Sequence, residues 1–228
     1  MIIRRLFSFT WKLLLVLALI PVVLVPVYAY VQPVSTLMLW RRVMGERVVR
    51  HWRPLAAISP ELVRAVFAGE DARFCSHRGV DWDELREAFD DADELADIRG
   101  ASTIAMQTAK NLFLWPGRQY VRKVLEVPIA YYMSAVWSKR RLAEIYLNVA
   151  EWGPNGEFGA EAGALRAFLK SARSLSPEEA ALLASVLPNP MRRDAARPGP
   201  GLQRLAVRRA SASVAAGPAI TACLRSSH

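Results

Sequence analysis

The sequence predicts a mainly α-helical domain behind one N-terminal transmembrane helix, and three observations predict it. The stretch from Leu13 to Val31 is an almost wholly aliphatic run of nineteen residues, which is long enough to span a bilayer as a helix. Several later segments combine a capping residue with apolar side chains that recur every three or four positions. No two segments show the alternation expected of paired strands. The 228 residues suffice for one domain plus an appendage.

The chain is predicted to divide into five parts. A short tail (1–12) precedes the anchor (13–31), a basic juxtamembrane connector (32–54) leads to the globular domain (55–191), and a basic surface helix and tail (192–228) follow. A cleaved signal peptide is the alternative to a retained anchor, but the apolar run is long for one and no clear small-x-small cleavage site follows it. Arginines flank the run on both sides, so the positive-inside rule leaves the orientation open.

Charge and cysteine content restrict the class of protein. The net charge is +9, although residues 81–97 hold nine of the 21 acidic residues and only one base. A basic domain beside a membrane implies an anionic partner, such as lipid head groups or a phosphate-bearing substrate, and the anchor argues against nucleic acid. Cys75 and Cys223 are far apart and lack a metal-binding spacing, so two unpaired thiols are expected. The scattered histidines argue against a zinc site.

The first helix of the domain is predicted to carry a reactive carboxylate. Ser59 can cap this helix, and Pro60 suits its first position. If the helix continues to Phe74, Glu70 lies on its apolar stripe. A carboxylate held against apolar neighbours loses solvation and becomes a plausible proton acceptor. The alternative is a partly exposed glutamate at the helix end, paired with Arg73.

Two more helices are predicted next. The first runs from Trp82 to Asp97 and keeps its acids on a solvated face. The second follows Gly100, with Ser102 as its N-cap. Its polar face lacks the usual mixture of charges and suits a carbohydrate or phosphate ligand, although an ordinary surface helix is the alternative. That face carries Thr103, Gln107, Lys110 and Asn111.

The segment 118–137 is predicted to hold a second carboxylate among cations. Arg122 and Lys123 precede Glu126 by four and three residues, which favours the ionised form of the glutamate. Pro128 is expected to kink or break this helix. Two carboxylates with different protonation behaviour are typical of acid/base glycosyl chemistry. An ordinary surface ion pair is the alternative.

The remaining helices are marked by their caps. Ser138 can cap a helix that is basic at its start. Ser176 and Glu179 predict a capping box, and the apolar helix behind it should belong to the core and end before Pro188. A last helix near 202–216 is basic with weak apolar periodicity, which predicts a surface helix.

Taken together, these segments resemble the peptidoglycan glycosyltransferases, and the monofunctional membrane-anchored type most closely. Five signatures occur in order between about Leu55 and Pro190. The first, Glu-Asp-x-x-Phe-x-x-His-x-Gly, is carried by Glu70, Asp71, Phe74, His77 and Gly79. The second, Gly-x-Ser-Thr-Ile-x-x-Gln followed by Lys-Asn-Leu, is carried by Gly100, Ser102, Thr103, Ile104, Gln107, Lys110, Asn111 and Leu112.

Three signatures complete the resemblance. Arg-Lys-x-x-Glu is carried by Arg122, Lys123 and Glu126. The fourth signature is carried by Lys139, Leu142, Tyr146, Leu147 and Asn148. An apolar run ending in Pro188-Asn189-Pro190 is similar to the fifth. The chain departs from the pattern at Ala105 and Met106, where polar residues are usual, and at Cys75, where an aromatic is frequent. No transpeptidase Ser-x-x-Lys segment follows, which favours a monofunctional enzyme without transpeptidase activity.

The resemblance implies a lysozyme-like, two-lobed fold that joins lipid II to a glycan chain on undecaprenyl pyrophosphate, with inversion. It implies that Glu70 is the catalytic base and that Glu126 orients cations or assists the leaving group. Substrate contacts are implied for Asp71, Phe74, Ser102, Thr103, Gln107, Lys110, Asn111, Arg122, Lys123 and Lys139. Structural roles in the motifs are implied for His77, Gly79, Gly100, Tyr146 and Asn148.

The resemblance also implies a setting for the enzyme. No cofactor is required by the sequence, although a divalent cation, Mg²⁺ or Mn²⁺, can accompany the pyrophosphate, and no metal-binding residues are predicted. The expected partners are lipid II, the growing glycan chain and the inner membrane, with the divisome and other cell-wall synthases as candidates. The tail would be cytoplasmic and the domain periplasmic. A muralytic hydrolase or a non-catalytic cell-wall scaffold are the alternatives, but a hydrolase has no use for the Arg122/Lys123 pair or a lipid anchor.

Overall fold

The computed structural model describes residues 2–90, 102–115, 117 and 120–225, and it confirms a mainly helical chain. The α-helices of these residues are α1 (Ile2–Tyr28), α2 (Thr36–Val43), α3 (Pro60–Glu70), α4 (Trp82–Asp90), α5 (Ile104–Phe113), α6 (Tyr120–Val136), α7 (Lys139–Val149), α8 (Ala160–Phe168), α9 (Pro177–Ala184) and α10 (Pro200–Ala216). Short 3₁₀ turns span Leu55–Ala57, Ala172–Ser174 and Gly217–Leu224. The strands β1 (Val49–Arg50) and β2 (Glu157–Phe158) pair in parallel, which is too short a pairing to leave a periodicity in the sequence.

The anchor helix α1 contains a stretch, Ser8–Tyr28, that is long and apolar enough to cross a membrane. This stretch starts earlier and ends earlier than the predicted span. The last turns of α1 are docked on the domain, because the indole nitrogen of Trp137 donates a hydrogen bond to the Val25 carbonyl at 2.7 Å. Arg141 donates to the Tyr28 carbonyl in the same region. The anchor therefore enters the domain against the end of α6 and the start of α7.

The predicted connector is folded onto the domain rather than extended as a linker. Ser35 caps α2, and the Thr36 hydroxyl donates to the Leu114 carbonyl at the end of α5 at 2.6 Å. Arg41 forms an ion pair with the buried carboxylate of Glu151 at 2.8 Å. Helix α2, which follows α1 closely in the sequence, is thus fixed to the body of the domain by polar contacts.

Helix α3 begins as predicted, with Ser59 as its cap, but it ends at Glu70 and not at Phe74. Asp71 leaves the helical conformation with φ −166° and ψ 74°, so its side chain turns toward the start of α5. The predicted stripe that joins Glu70 to Phe74 is therefore wrong. The helix stops there because the Asp71 carboxylate accepts hydrogen bonds elsewhere in the fold.

Several other boundaries differ from the prediction. Thr103, not Ser102, is the N-cap of α5, and its hydroxyl accepts from the Met106 backbone N–H. Pro128 lies inside α6 without ending it. The predicted end of the Trp82 helix, at Asp97, lies outside the described residues. The Ser138 cap of α7 is confirmed, as is the capping box of α9, whose inner face is buried.

The C-terminal helix α10 is not the surface helix that its weak periodicity predicts. It packs against α3 and α9. The residues of its inner face recur at intervals of four, three and four, and all are buried: Leu202, Ala206, Arg209 and Ser213. An arginine occupies one of these four inward positions, which is why the apolar periodicity is weak.

The two cysteines are joined in a disulfide, so the prediction of unpaired thiols is wrong. Cys75 and Cys223 are separated by 148 residues in the sequence. The disulfide links the loop after α3 to the 3₁₀ turn after α10. Sequence spacing carries no information about this contact because packing of α10 across α3 creates it.

Candidate active site

The loop 71–79, which follows Glu70, is held by buried hydrogen bonds. Asp71 is fully enclosed, and its carboxylate accepts from the Ile104 backbone N–H at 2.9 Å and faces Nε2 of His77 at 2.8 Å. The Gly79 N–H donates to Nδ1 of His77, so that nitrogen is the acceptor and Nε2 carries the proton toward Asp71. His77 thus fixes the loop, as the resemblance implies, and Asp71 positions the residues on either side of it.

A glycine and a lysine complete the support of this loop. Gly79 has φ +97°, and an added Cβ would lie 2.7 Å from the Ala130 carbonyl oxygen, so both backbone conformation and space require glycine. The ammonium of Lys139 donates to the carbonyl oxygens of His77, at 2.5 Å, and Phe74, and it lies 4.3 Å from the centroid of the Phe74 ring. Lys139 is therefore a support for the loop.

Glu70 contacts two side chains that lie far from it in the sequence, Gln107 and Arg209, and Tyr146 contacts Gln107 in turn. These four residues are called the base cluster. The Oε1 atom of Glu70 forms an ion pair with Nη2 of Arg209 at 2.5 Å. Its Oε2 accepts from the amide nitrogen of Gln107 at 3.2 Å. The Tyr146 hydroxyl donates to the amide oxygen of Gln107 at 3.0 Å, which turns the nitrogen of that amide toward Glu70. The carboxylate is thereby held from α5 and α10.

The alternative pairing of Glu70 with Arg73 is not what the structure shows. Arg73 pairs with both oxygens of Asp81 instead, at 2.7 and 2.9 Å. Glu70 also does not sit against a purely apolar surface, because Arg209 and Gln107 occupy both of its oxygens. Its environment is polar and shielded from water.

Lys110, Arg122, Lys123 and Glu126 form a second group, called the cation cluster here. Arg122 pairs with Glu126 one turn along α6, and its Nε donates to the Gly117 carbonyl at 2.9 Å. Lys110, the member on α5, interacts electrostatically with Glu126 and Arg122 and also with Glu70 of the base cluster.

Burial sets the direction of the pKa shifts of Glu126 and Lys110 in the cation cluster. Burial raises the pKa of Glu126, against the opposing effect of Arg122, Lys110 and Lys123. The expectation that its cations favour the ionised form is therefore wrong in direction, because the loss of solvation outweighs their attraction. Burial likewise lowers the pKa of Lys110, although Glu126 and Glu70 oppose this shift.

Several residues expected to touch substrate are enclosed by protein instead. Phe74 is 0% exposed and packs on Phe67, with 4.7 Å between the ring centroids. Its ring therefore belongs to the core and is not open to substrate. Thr103 is buried and donates its hydroxyl to the Gly79 carbonyl. Asn111 is also buried. The backbone carbonyl of Ser102 accepts a hydrogen bond from the side-chain amide of Gln107.

Two further motif residues with predicted structural roles, Asn148 and Tyr146, make hydrogen bonds inside the protein. Asn148 accepts from the Arg53 N–H and donates to the Arg53 carbonyl, both at 2.8 Å, which ties the connector to α7. Tyr146 is buried beneath Gln107. Gly100 lies outside the described residues.

Arg209 is the functional residue that the sequence analysis missed. It lies in the helix assigned to the surface, 139 positions from Glu70. The available signal was one arginine among the small and apolar residues that recur every three or four positions along α10.

The residues around the cation cluster do not fit a resident metal ion. The one carboxylate of the cation cluster, Glu126, is paired with Arg122, and the other members of the cluster are cations. Within the described parts of the chain, no group of three or more His, Cys, Asp or Glu residues is placed to hold a metal.

A shielded carboxylate near a cation cluster offers the base and the positive charge that glycosyl transfer from a pyrophosphate needs, and comparison with known proteins identifies the family. The family model described as Transglycosylase matches residues 38–214, so the chain belongs to that family. This match begins inside the predicted connector and ends inside α10, beyond the predicted domain limits on both sides.

The similar proteins carry one specific name, biosynthetic peptidoglycan transglycosylase. The protein of that name from Nitrobacter winogradskyi is 58% identical over 190 residues, covering 83% of this chain and 84% of its own. The one from Rhodopseudomonas palustris strain HaA2 is 55% identical over 204 residues, covering 89% and 90%. That from Brucella suis is 49% identical over 212 residues, covering 92% and 94%.

Proposed function

We propose that this protein polymerises lipid II into linear glycan strands of peptidoglycan. The observation that carries the proposal is the Glu70 carboxylate held in the base cluster and interacting electrostatically with Lys110 of the cation cluster. Glycosyl transfer from a pyrophosphate needs a base for the attacking hydroxyl and positive charge for the leaving group. The two clusters supply these two requirements.

Glu70 acts as the base in this proposal. It takes the proton from the 4-hydroxyl of the acceptor GlcNAc while that oxygen forms a bond to the anomeric carbon of the growing chain. The bond from the anomeric carbon to the pyrophosphate oxygen breaks, and its electron pair leaves with undecaprenyl pyrophosphate. One displacement converts the α-linked donor into a β-1,4 linkage. A carboxylate has about four lone-pair sites, so the contacts with Arg209 and Gln107 leave it able to accept this proton.

The cation cluster stabilises the negative charge that develops on the pyrophosphate. Lys110, Arg122 and Lys123 supply the positive charge that stabilises it. Glu126 orients Arg122 by pairing with it. A divalent cation, Mg²⁺ or Mn²⁺, would reach the site with the pyrophosphate, since the donor set of the chain itself does not suit one. No step of the transfer depends on that ion.

The lowered pKa of Lys110 predicts the alkaline side of the pH–rate profile. An ordinary lysine titrates near pH 10.4, so Lys110 loses its positive charge at a lower pH and kcat/KM should fall there. Lys110→Arg keeps its charge at any accessible pH and should move this fall to higher pH. The measurement is kcat/KM for lipid II between pH 7 and 10.5. Lys170→Arg, at an exposed ion pair with Glu179, is the control. An unchanged profile for Lys110→Arg contradicts this role.

The domain is proposed to lie on the periplasmic side of the bacterial inner membrane, anchored by α1 in a single pass. The Cys75–Cys223 disulfide supports this, because disulfides persist in oxidising compartments. The divisome and other cell-wall synthases are proposed partners at that surface. A C-terminal fusion to a reporter that is active only in the periplasm should be active. Activity confined to a cytoplasm-specific reporter would reverse the orientation.

The decisive assay incubates the full-length protein in detergent with labelled lipid II. Formation of glycan polymer and undecaprenyl pyrophosphate supports the proposal. Release of fragments from preformed peptidoglycan would instead support a hydrolase, and a folded protein without turnover of either substrate would support a scaffold.

A further inference from the structure

Arg209 is a buried cation whose one ion-pair partner in the described chain is the proposed base. It is 6% exposed, and its Nη2 lies 2.5 Å from Oε1 of Glu70, which is itself 8% exposed. The Nε and Nη1 atoms of Arg209 are buried and make no hydrogen bond to the described residues. A guanidinium so enclosed costs free energy that a hydrophobic residue at the same position would avoid. Its charge is therefore better explained by an effect on Glu70 than by stability.

The fold makes specific room for this contact. Arg209 lies on the inward face of α10 between Ala206 and Ser213, where an apolar side chain would be expected. Its guanidinium passes over Gly69, the residue before Glu70, where an added Cβ would overlap it. Any larger residue at 69 would have to push the guanidinium aside.

We propose that Arg209 is a positioning residue that fixes the orientation of the Glu70 carboxylate toward the acceptor hydroxyl. The inference rests on the proposed function, in which Glu70 is the base. The other charged or titratable groups that face Glu70 are Lys110 on α5, Tyr146 on α7 and the adjacent Asp71. Among the described residues, Arg209 is the cation that forms an ion pair with the carboxylate. The C-terminal helix is thereby part of the active site.

The test compares Arg209→Gln, Arg209→Lys and the control Arg208→Gln, which removes the same charge from the exposed face of α10. Polymerisation of lipid II is measured in steady state, with kcat and KM determined separately and the folded fraction of each sample determined by thermal unfolding. Arg209→Gln should lower kcat by about 10- to 100-fold with little change in KM, the scale expected for a lost charge-assisted hydrogen bond.

Arg209→Lys should recover part of kcat, and Arg208→Gln should change neither kcat nor KM. If Arg209→Gln lowers only the unfolding temperature, with kcat per folded molecule unchanged, the contact is structural and the inference is overturned. If Arg209→Gln does not fold, Arg209→Lys decides: kcat equal to the wild type overturns the inference, and a reduced kcat at unchanged KM supports it. A fully active Glu70→Gln variant would instead overturn the assignment of Glu70 as the base, whereas a wild type that does not polymerise lipid II would overturn the proposed function.

Discussion

Replacing Glu70 by glutamine is expected to lower the rate of lipid II polymerisation by about 10²- to 10⁴-fold, the usual contribution of a general base. Glutamine keeps the shape of the side chain and an oxygen that can accept from Arg209, but it cannot take the acceptor proton at neutral pH. The binding of lipid II should change little, because the cation cluster is untouched. The measurement is kcat and KM with labelled lipid II.

This variant also needs a stability control, since it leaves Arg209 buried beside a neutral partner. Breaking a buried ion pair costs about 3–5 kcal/mol when one charge is removed outright, and less when the replacement still accepts a hydrogen bond. Glu87→Gln, on the exposed face of α4, is the matched substitution and should be fully active. Normal polymerisation by folded Glu70→Gln would exclude Glu70 as the base.

Removing the disulfide is expected to lower the free energy of unfolding by about 2–5 kcal/mol. The bond closes a loop of 148 residues, so it restricts the unfolded chain strongly. For a chain of this size that loss corresponds to a fall of roughly 5–15 °C in Tm. The variant is Cys75→Ser/Cys223→Ser, compared with the wild type by thermal unfolding with and without reductant.

Reductant supplies the control for that comparison. It should lower the Tm of the wild type to the value of the double variant and leave the double variant unaffected. Because the bond ties the loop after Glu70 to the turn after α10, reduction should also weaken polymerisation below the melting transition. A wild-type Tm that is insensitive to reductant would mean that the two cysteines are not bonded in solution.

The polar supports of the loop 71–79 show how far local sequence signals reached. The resemblance implied structural roles for His77 and Gly79, and the structure supplies the hydrogen bonds that join them to each other and to Asp71. The same resemblance did not reveal that Phe74 is enclosed. Its neighbours Phe67 and Lys139 reach it through tertiary packing.

Glu126 illustrates a different limit. Its neighbours along the helix are cations, so sequence spacing favoured the ionised form. Burial reverses that tendency, and burial depends on how α5 covers α6. The contribution of solvation is not a property of any short segment.

Local signals in the sequence predicted the helices with strong caps and the apolar N-terminal helix, and the motifs pointed to Glu70 and the cation cluster as site candidates, because caps, periodicity and motif spacing act over a few residues. Tertiary packing, in contrast, places α10 beside Glu70. It brought Arg209 to Glu70 and Cys223 to Cys75 by packing one helix across another, and contacts between residues more than a hundred positions apart leave no local pattern.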